Sequence, residues 1–302
     1  MVKLILIVAA GAFAQFVDGA MGMGYGTTAA SVLIAAGLLP VMVSASTHTA
    51  EVFTSLASSV SHARLGNVDK GIALPLAASG MVGGIVGAYI LASLVSDSSM
   101  TPLVAAVLLL LGIRILLKSL RGKVVRGKTG GSSKKLLLPL GFVAGAVDAI
   151  GGGGWGPIST ATLITGNQVA PRYVIGSVNV AEFFVTVSIV LTFGLTLGFE
   201  SFPWQIILPL IAGGVLMAPV AAYASSRIPS AFIGGSVGLL LVVLNVNTVS
   251  QSLSDVLGFP LPSYFDVLVL ILVGLTVLLL IIGLLSKSRR TSPEGLGVGS
   301  DD

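Results

Sequence analysis

The chain has 302 residues, of which 54% are hydrophobic and only 9% charged. Soluble domains carry about 25% charged residues, so the composition excludes an ordinary soluble globule and points to an integral membrane protein. The net charge of +4 gives no sign of nucleic-acid binding, because Lys and Arg gather between apolar runs; zero cysteines exclude disulfides, thiolate metal sites and cysteine nucleophiles.

The N-terminal stretch "MVKLILIVAAGAFAQF" has the look of a signal peptide, but it matches an internal segment beginning at Leu136, so it is read as part of the mature protein. It opens an apolar run over 4–39, interrupted by Asp18 and by "GAMGMGYG" at 19–26. Further runs follow at 41–62, 71–96 and 101–117, with a polar turn, "HARLGNVDKG", at 62–71. In that turn His62 and Asn67 are candidates to guard an entrance, and Arg114 is expected to snorkel near its helix end. A basic linker carries Lys118, Arg121, Lys123, Arg126, Lys128, Lys134 and Lys135. Apolar runs resume at 136–169, broken by "GGGGWG" at 151–156, and continue at 173–198, 203–226, 229–249 and 265–286. A Gly-rich polar tail after Ser286 is expected to be disordered. Spanning helices need ~20 apolar residues, whereas barrel strands would be ~10-residue alternating segments. The fold class is therefore all-α and polytopic.

The chain repeats itself. Gly11, Val17, Asp18, Gly22, Gly24 and Gly26 fall on Gly141, Val147, Asp148, Gly152, Gly154 and Gly156 at an offset of 130, and Tyr25 falls on Trp155. At an offset of 131, Pro40, Ser46, Ala50, Glu51 and Phe53 fall on Pro171, Ser177, Ala181, Glu182 and Phe184. The expected units are a first repeat over 1–118, a cytoplasmic linker over 119–135, a second repeat over 136–249, a loop and extra helix over 250–286, and the tail over 287–302. As unbroken helices, 4–39 and 136–169 would be roughly 50 Å long, against a hydrocarbon core of ~30 Å. If each instead folds back as a re-entrant hairpin, every Lys and Arg except Lys3 lands on the linker's side, as the positive-inside rule asks. Each repeat is then a hairpin plus three spans, an odd number of crossings, so the repeats are inverted. Secondary transporters are commonly built this way, with the substrate site near the midplane at the interrupted helices.

Irregular backbone at membrane depth is tolerated only where it is buried in protein or lines a cavity. Gly22, Gly24, Gly152, Gly153 and Gly154, with Tyr25 and Trp155, are accordingly candidate site-lining residues; the competing reading is close packing of a hairpin. The short helices after the breaks are expected to begin at Thr27-Thr28 and at 157–160, so Thr27, Thr28 and Ser159 would offer hydroxyls beside a helix N-terminus suited to an anion. Asp18 and Asp148 each precede a break and are read chiefly as fixing the turn. A second constellation is "SASTHTAEVF" (44–53) with "GSVNVAEFF" (176–184): Ser46, His48, Ser177 and Asn179 are candidate substrate contacts. Glu51 and Glu182, each one helical turn beyond His48 or Asn179, are candidates to carry a coupling proton or sodium ion. No Ser/His/Asp nucleophile set, zinc-ligand spacing, P-loop or cofactor motif is visible, so a binding protein rather than an enzyme is expected, with a small anion and the lipid bilayer as its partners. A cation/proton exchanger using the paired carboxylates is the alternative.

At "FVDGAMGMGYGTTAAS", "SASTHTAEVFTSLASSVSHARLGNVD", "AVDAIGGGGWGPI" and "GSVNVAEFF", the chain resembles the sulfite exporter TauE/SafE family of membrane permeases. The resemblance covers both halves, leaving out the linker and tail. It implies transport of small sulfur oxyanions or organosulfonates, such as sulfite, sulfoacetate or thiosulfate, across the plasma membrane.

Overall fold

A computed structural model describes residues 2–21, 23–64, 66–94, 101–121, 134–165 and 171–225, with helical positions between 238 and 254. Gly22, most of the linker, the run at 265–286 and the tail lie outside the described residues. Among the described residues the regular structure is entirely helical: α1 (Val2–Met21), α2 (Tyr25–Ala35), α3 (Pro40–Arg64), α4 (Lys70–Leu94), α5 (Thr101–Arg121), α6 (Lys134–Gly151), α7 (Trp155–Thr165), α8 (Pro171–Leu197) and α9 (Trp204–Ser225), with a 3-10 turn at Phe199–Ser201. Segments within α4 (Lys70–Ser93) and α8 (Tyr173–Leu197) are each long and apolar enough to cross a membrane.

The burial pattern is that of a membrane protein. Leu195 is 85% exposed and Leu216 73%, with Leu74, Leu110 and Leu208 also on the outside, whereas His48, Thr27, Ser44 and Ser177 are wholly buried. An exterior of large apolar side chains around a polar centre suits hydrocarbon as the surrounding solvent.

Both oversized apolar runs divide as their glycines predict, into a long helix, a break and an 11-residue helix. The helices then pack by exchange between the two sequence repeats. α1 lies against α9, while α6 lies against α4, and α3 crosses α8. Small residues make these approaches close. A Cβ on Gly11 would overlap the Leu210 carbonyl, and one on Gly145 would overlap that of Gly80. A Cβ on Gly83 would likewise run into the Phe142 carbonyl. Without a hydrophobic drive between helices in lipid, such backbone approach is what holds them together.

Candidate functional site

The short helices begin two residues earlier than the hydroxyl clusters suggested, at Tyr25 and Trp155. The reason lies in the two aspartates. Asp148 Oδ1 accepts the N–H groups of Gly154 (2.6 Å) and Trp155 (2.9 Å), satisfying the first orphan donors of α7. Asp18 accepts from the Tyr25 N–H, the same seven residues ahead. Gly24 enters α2 at φ 114°, a left-handed conformation that a side chain would strain. Val17 and Val147 stand under Gly24 and Gly154, each 3.2 Å from where a Cβ would be.

The two breaks meet. A Cβ on Gly26 would lie 2.6 Å from the Gly153 Cα, and one on Gly153 would overlap the Gly26–Thr27 peptide. Each aromatic residue pins its break from behind. The Tyr25 hydroxyl reaches the Leu210 carbonyl on α9 (3.4 Å), and Trp155 Nε1 donates to the Val178 carbonyl on α8 (3.1 Å).

On α3, Ser44, His48 and Glu51 follow at i, i+4 and i+7 and so share one face. Ser44 Oγ donates to the Ala149 carbonyl at 2.5 Å. That uses its only proton, so His48 Nδ1 donates to the Ser44 carbonyl, 2.8 Å away. His48 Nε2 then faces Asp148 Oδ2 at 3.1 Å, and one proton lies between them, on whichever partner. Asp148 thus ties its own break with one oxygen and meets the first repeat with the other. Glu51 Oε2 stands 4.0 Å from His48 Nε2. One Glu51 oxygen accepts from the Gly26 N–H, while Oε2, fully buried, has no hydrogen-bond partner. Asp18 and Glu182 are near enough for their charges to act on Glu51 as well. Three carboxyl groups drawn from both repeats, those of Glu51, Asp148 and Glu182, line the meeting point of the breaks.

A small cavity lies there, bounded by Gly24, Gly26 and Thr27 on one side, Gly153, Gly154 and Trp155 on the other, and Glu51, Asp148 and Glu182 between. It has room for about one water molecule. Of the residues singled out from sequence, Gly152 sits just behind, with its φ at 69°, and His48 stands behind Asp148 and Glu51. Tyr25, Thr28 and Ser159 are buried in the helix starts, Ser159 hydrogen-bonded to the Trp155 carbonyl. Gly22 lies outside the described residues.

Three expected substrate contacts are engaged elsewhere. Ser46 lies on another face of α3 and donates to the Met42 carbonyl (2.6 Å). Ser177 holds the 62–71 turn through the Asp69 N–H (2.8 Å), and Gly176 packs against Asn67 in the same turn. Asn179 accepts from Ser58 (2.9 Å) and so binds α8 to α3. Arg114 reaches sideways to Thr162 Oγ1 on α7 at 3.2 Å. Sequence reasoning missed Ser44, whose spacing from His48 was the available signal, along with Gly156 and Pro157 in the cavity wall.

An apolar exterior, a buried polar centre and two broken helices meeting there define a helical membrane transporter. The chain belongs to the sulfite exporter TauE/SafE family, whose sequence model matches residues 7–248. It is 39% identical over 250 residues to a probable membrane transporter protein, YtnM, of Bacillus subtilis (strain 168), covering 82% of this chain and 83% of that protein. No solved structure matches the chain.

Proposed function

We propose that this protein is a secondary transporter of small sulfur-containing anions, such as sulfite, thiosulfate or organosulfonates, in the plasma membrane, with its linker and C-terminus cytoplasmic. Its two repeats are inverted and the broken segments are re-entrant hairpins, so that alternating access is a rocking of one repeat against the other. The exchange of packing partners, α1 with α9 and α6 with α4, supports this relation.

One observation carries the reading: the glycine-rich backbone of both breaks and the carboxyl groups of Glu51 and Glu182 face a single cavity. Backbone N–H groups at the starts of α2 and α7 suit an anion. Ionised carboxylates beside them repel one. An anion therefore enters only together with a compensating cation, a proton or sodium ion, held by Glu51 and Glu182. The cavity with room for about one water is the occluded resting arrangement, and cargo entry requires the breaks to part.

The test is uptake of radiolabelled sulfite into proteoliposomes containing the purified chain, with imposed proton or sodium gradients. The wild type accumulates sulfite against its gradient when the coupling ion is supplied. Glu182→Gln keeps sulfite exchange but loses gradient-driven accumulation. Absence of anion flux in the wild type, or unchanged coupling in the variant, refutes the assignment.

A further inference from the structure

We propose that His48, Glu51 and Asp148 together bind a divalent metal ion of the zinc and cobalt class. Each offers one donor atom, an imidazole nitrogen and two carboxylate oxygens, and these atoms lie within 4.8 Å of one another. A tetrahedral zinc ion with bonds of ~2.0–2.2 Å sets neighbouring donors about 3.4 Å apart. His48 Nε2 and Asp148 Oδ2 stand at 3.1 Å, and His48 Nε2 and Glu51 Oε2 at 4.0 Å, so the pairs bracket that spacing. The third pair, Glu51 with Asp148, lies within 4.8 Å, so an inward movement of the Glu51 carboxylate by up to about 1.4 Å completes the set.

The second observation is the state of Glu51. Its Oε2 is fully buried, points toward the imidazole and has no hydrogen-bond partner. A buried acceptor left without a donor costs free energy, and a cation at the centre of the triad would satisfy it. The remaining imidazole nitrogen, Nδ1, is held by the Ser44 carbonyl at 2.8 Å. A backbone carbonyl on the second nitrogen is the support that metal-bound histidines usually have, and it aims Nε2 at the metal. The metal replaces the proton that otherwise lies between His48 and Asp148. Three protein donors leave a fourth position open toward the cavity. One nitrogen and two oxygens favour zinc, cobalt or nickel over calcium and magnesium, which prefer all-oxygen shells.

The composition makes the test clean. The chain has no cysteine and only two histidines, His48 and His62, so an ion that seeks nitrogen or sulfur donors has few other places to go. Untagged protein in detergent is titrated with Zn²⁺ by calorimetry and with Co²⁺ by visible absorption. The expected result is one ion per chain, with cobalt bands characteristic of tetrahedral nitrogen and oxygen ligation. His48→Gln and Glu51→Gln each weaken binding by at least about tenfold, while His62→Gln leaves it unchanged. If one ligand variant does not fold, the other decides, and the wild-type cobalt spectrum stands independently of both. No uptake by the wild type, an octahedral spectrum, or equal affinity in the ligand variants overturns the proposal. The titration contains no sulfur anion, so it is separate from the test of anion flux; a metal held on Glu51 leaves Glu182 as the carrier of the coupling proton or sodium ion, which is the residue the transport test substitutes.

Discussion

Replacing Gly153 by alanine places a methyl group where the two breaks touch. The new Cβ would overlap the Gly26–Thr27 peptide and lie 2.7 Å from the Gly26 Cα. Ordinary contacts begin at 3.4 Å, so relief at that Cα alone requires a parting of about 0.7 Å, and the peptide beside it requires more. The opposing atoms are backbone, with no flexible side chain to swing away. Overpacking of this kind costs about 1–3 kcal/mol. If closure of the breaks is one limb of a two-state cycle, that cost shifts the closed-to-open ratio by a factor of roughly 5 to 150. A single cysteine in place of Thr27, in this naturally cysteine-free chain, reports the opening through its rate of alkylation by a small maleimide. Gly153→Ala should raise that rate and slow any transport the wild type shows with the proposed sulfite cargo, with protein yield maintained. Wild-type alkylation and transport in Gly153→Ala would show that the breaks need not touch.

Other expectations follow from the same packing. Gly83→Ala drives a methyl group into the Phe142 carbonyl and should lower thermal stability by about 1–3 kcal/mol, read as a reduced melting temperature in detergent. Trp155→Phe removes the Nε1 bond to the Val178 carbonyl, which keeps its own helical partner within α8, a loss of about 0.5–1.5 kcal/mol measurable in the same melt. Ser177→Ala frees the Asp69 N–H, and should quicken proteolysis in the 62–71 turn while leaving metal binding at His48 intact.

Much of this arrangement was legible in the sequence because glycine clusters and a charged residue inside apolar runs have few structural solutions. The breaks fall where "GAMGMGYG" and "GGGGWG" place them, and the matched positions Gly11 and Gly141 both sit at close helix approaches. What stayed hidden is rotational. Ser44 and Ser46 are equally polar and two residues apart, yet only Ser44 faces Ala149, since 200° of helix separates them. The match of Asn179 to His48 is also misleading as to role. Asn179 is spent joining α8 to α3, so the equivalent positions serve different ends. The partnership of His48 with Asp148 spans 100 residues, and no local pattern announces it.

The two oxygens of Asp148 answer to different parts of the molecule. Oδ1 holds the first turn of α7 in shape, and Oδ2 faces α3. Charge drawn toward one oxygen weakens what the other can accept. A change of charge at His48 would therefore reach the start of α7 through a single carboxylate. One side chain thus joins α3 to the opening turn of α7, and both contacts depend on the same charge.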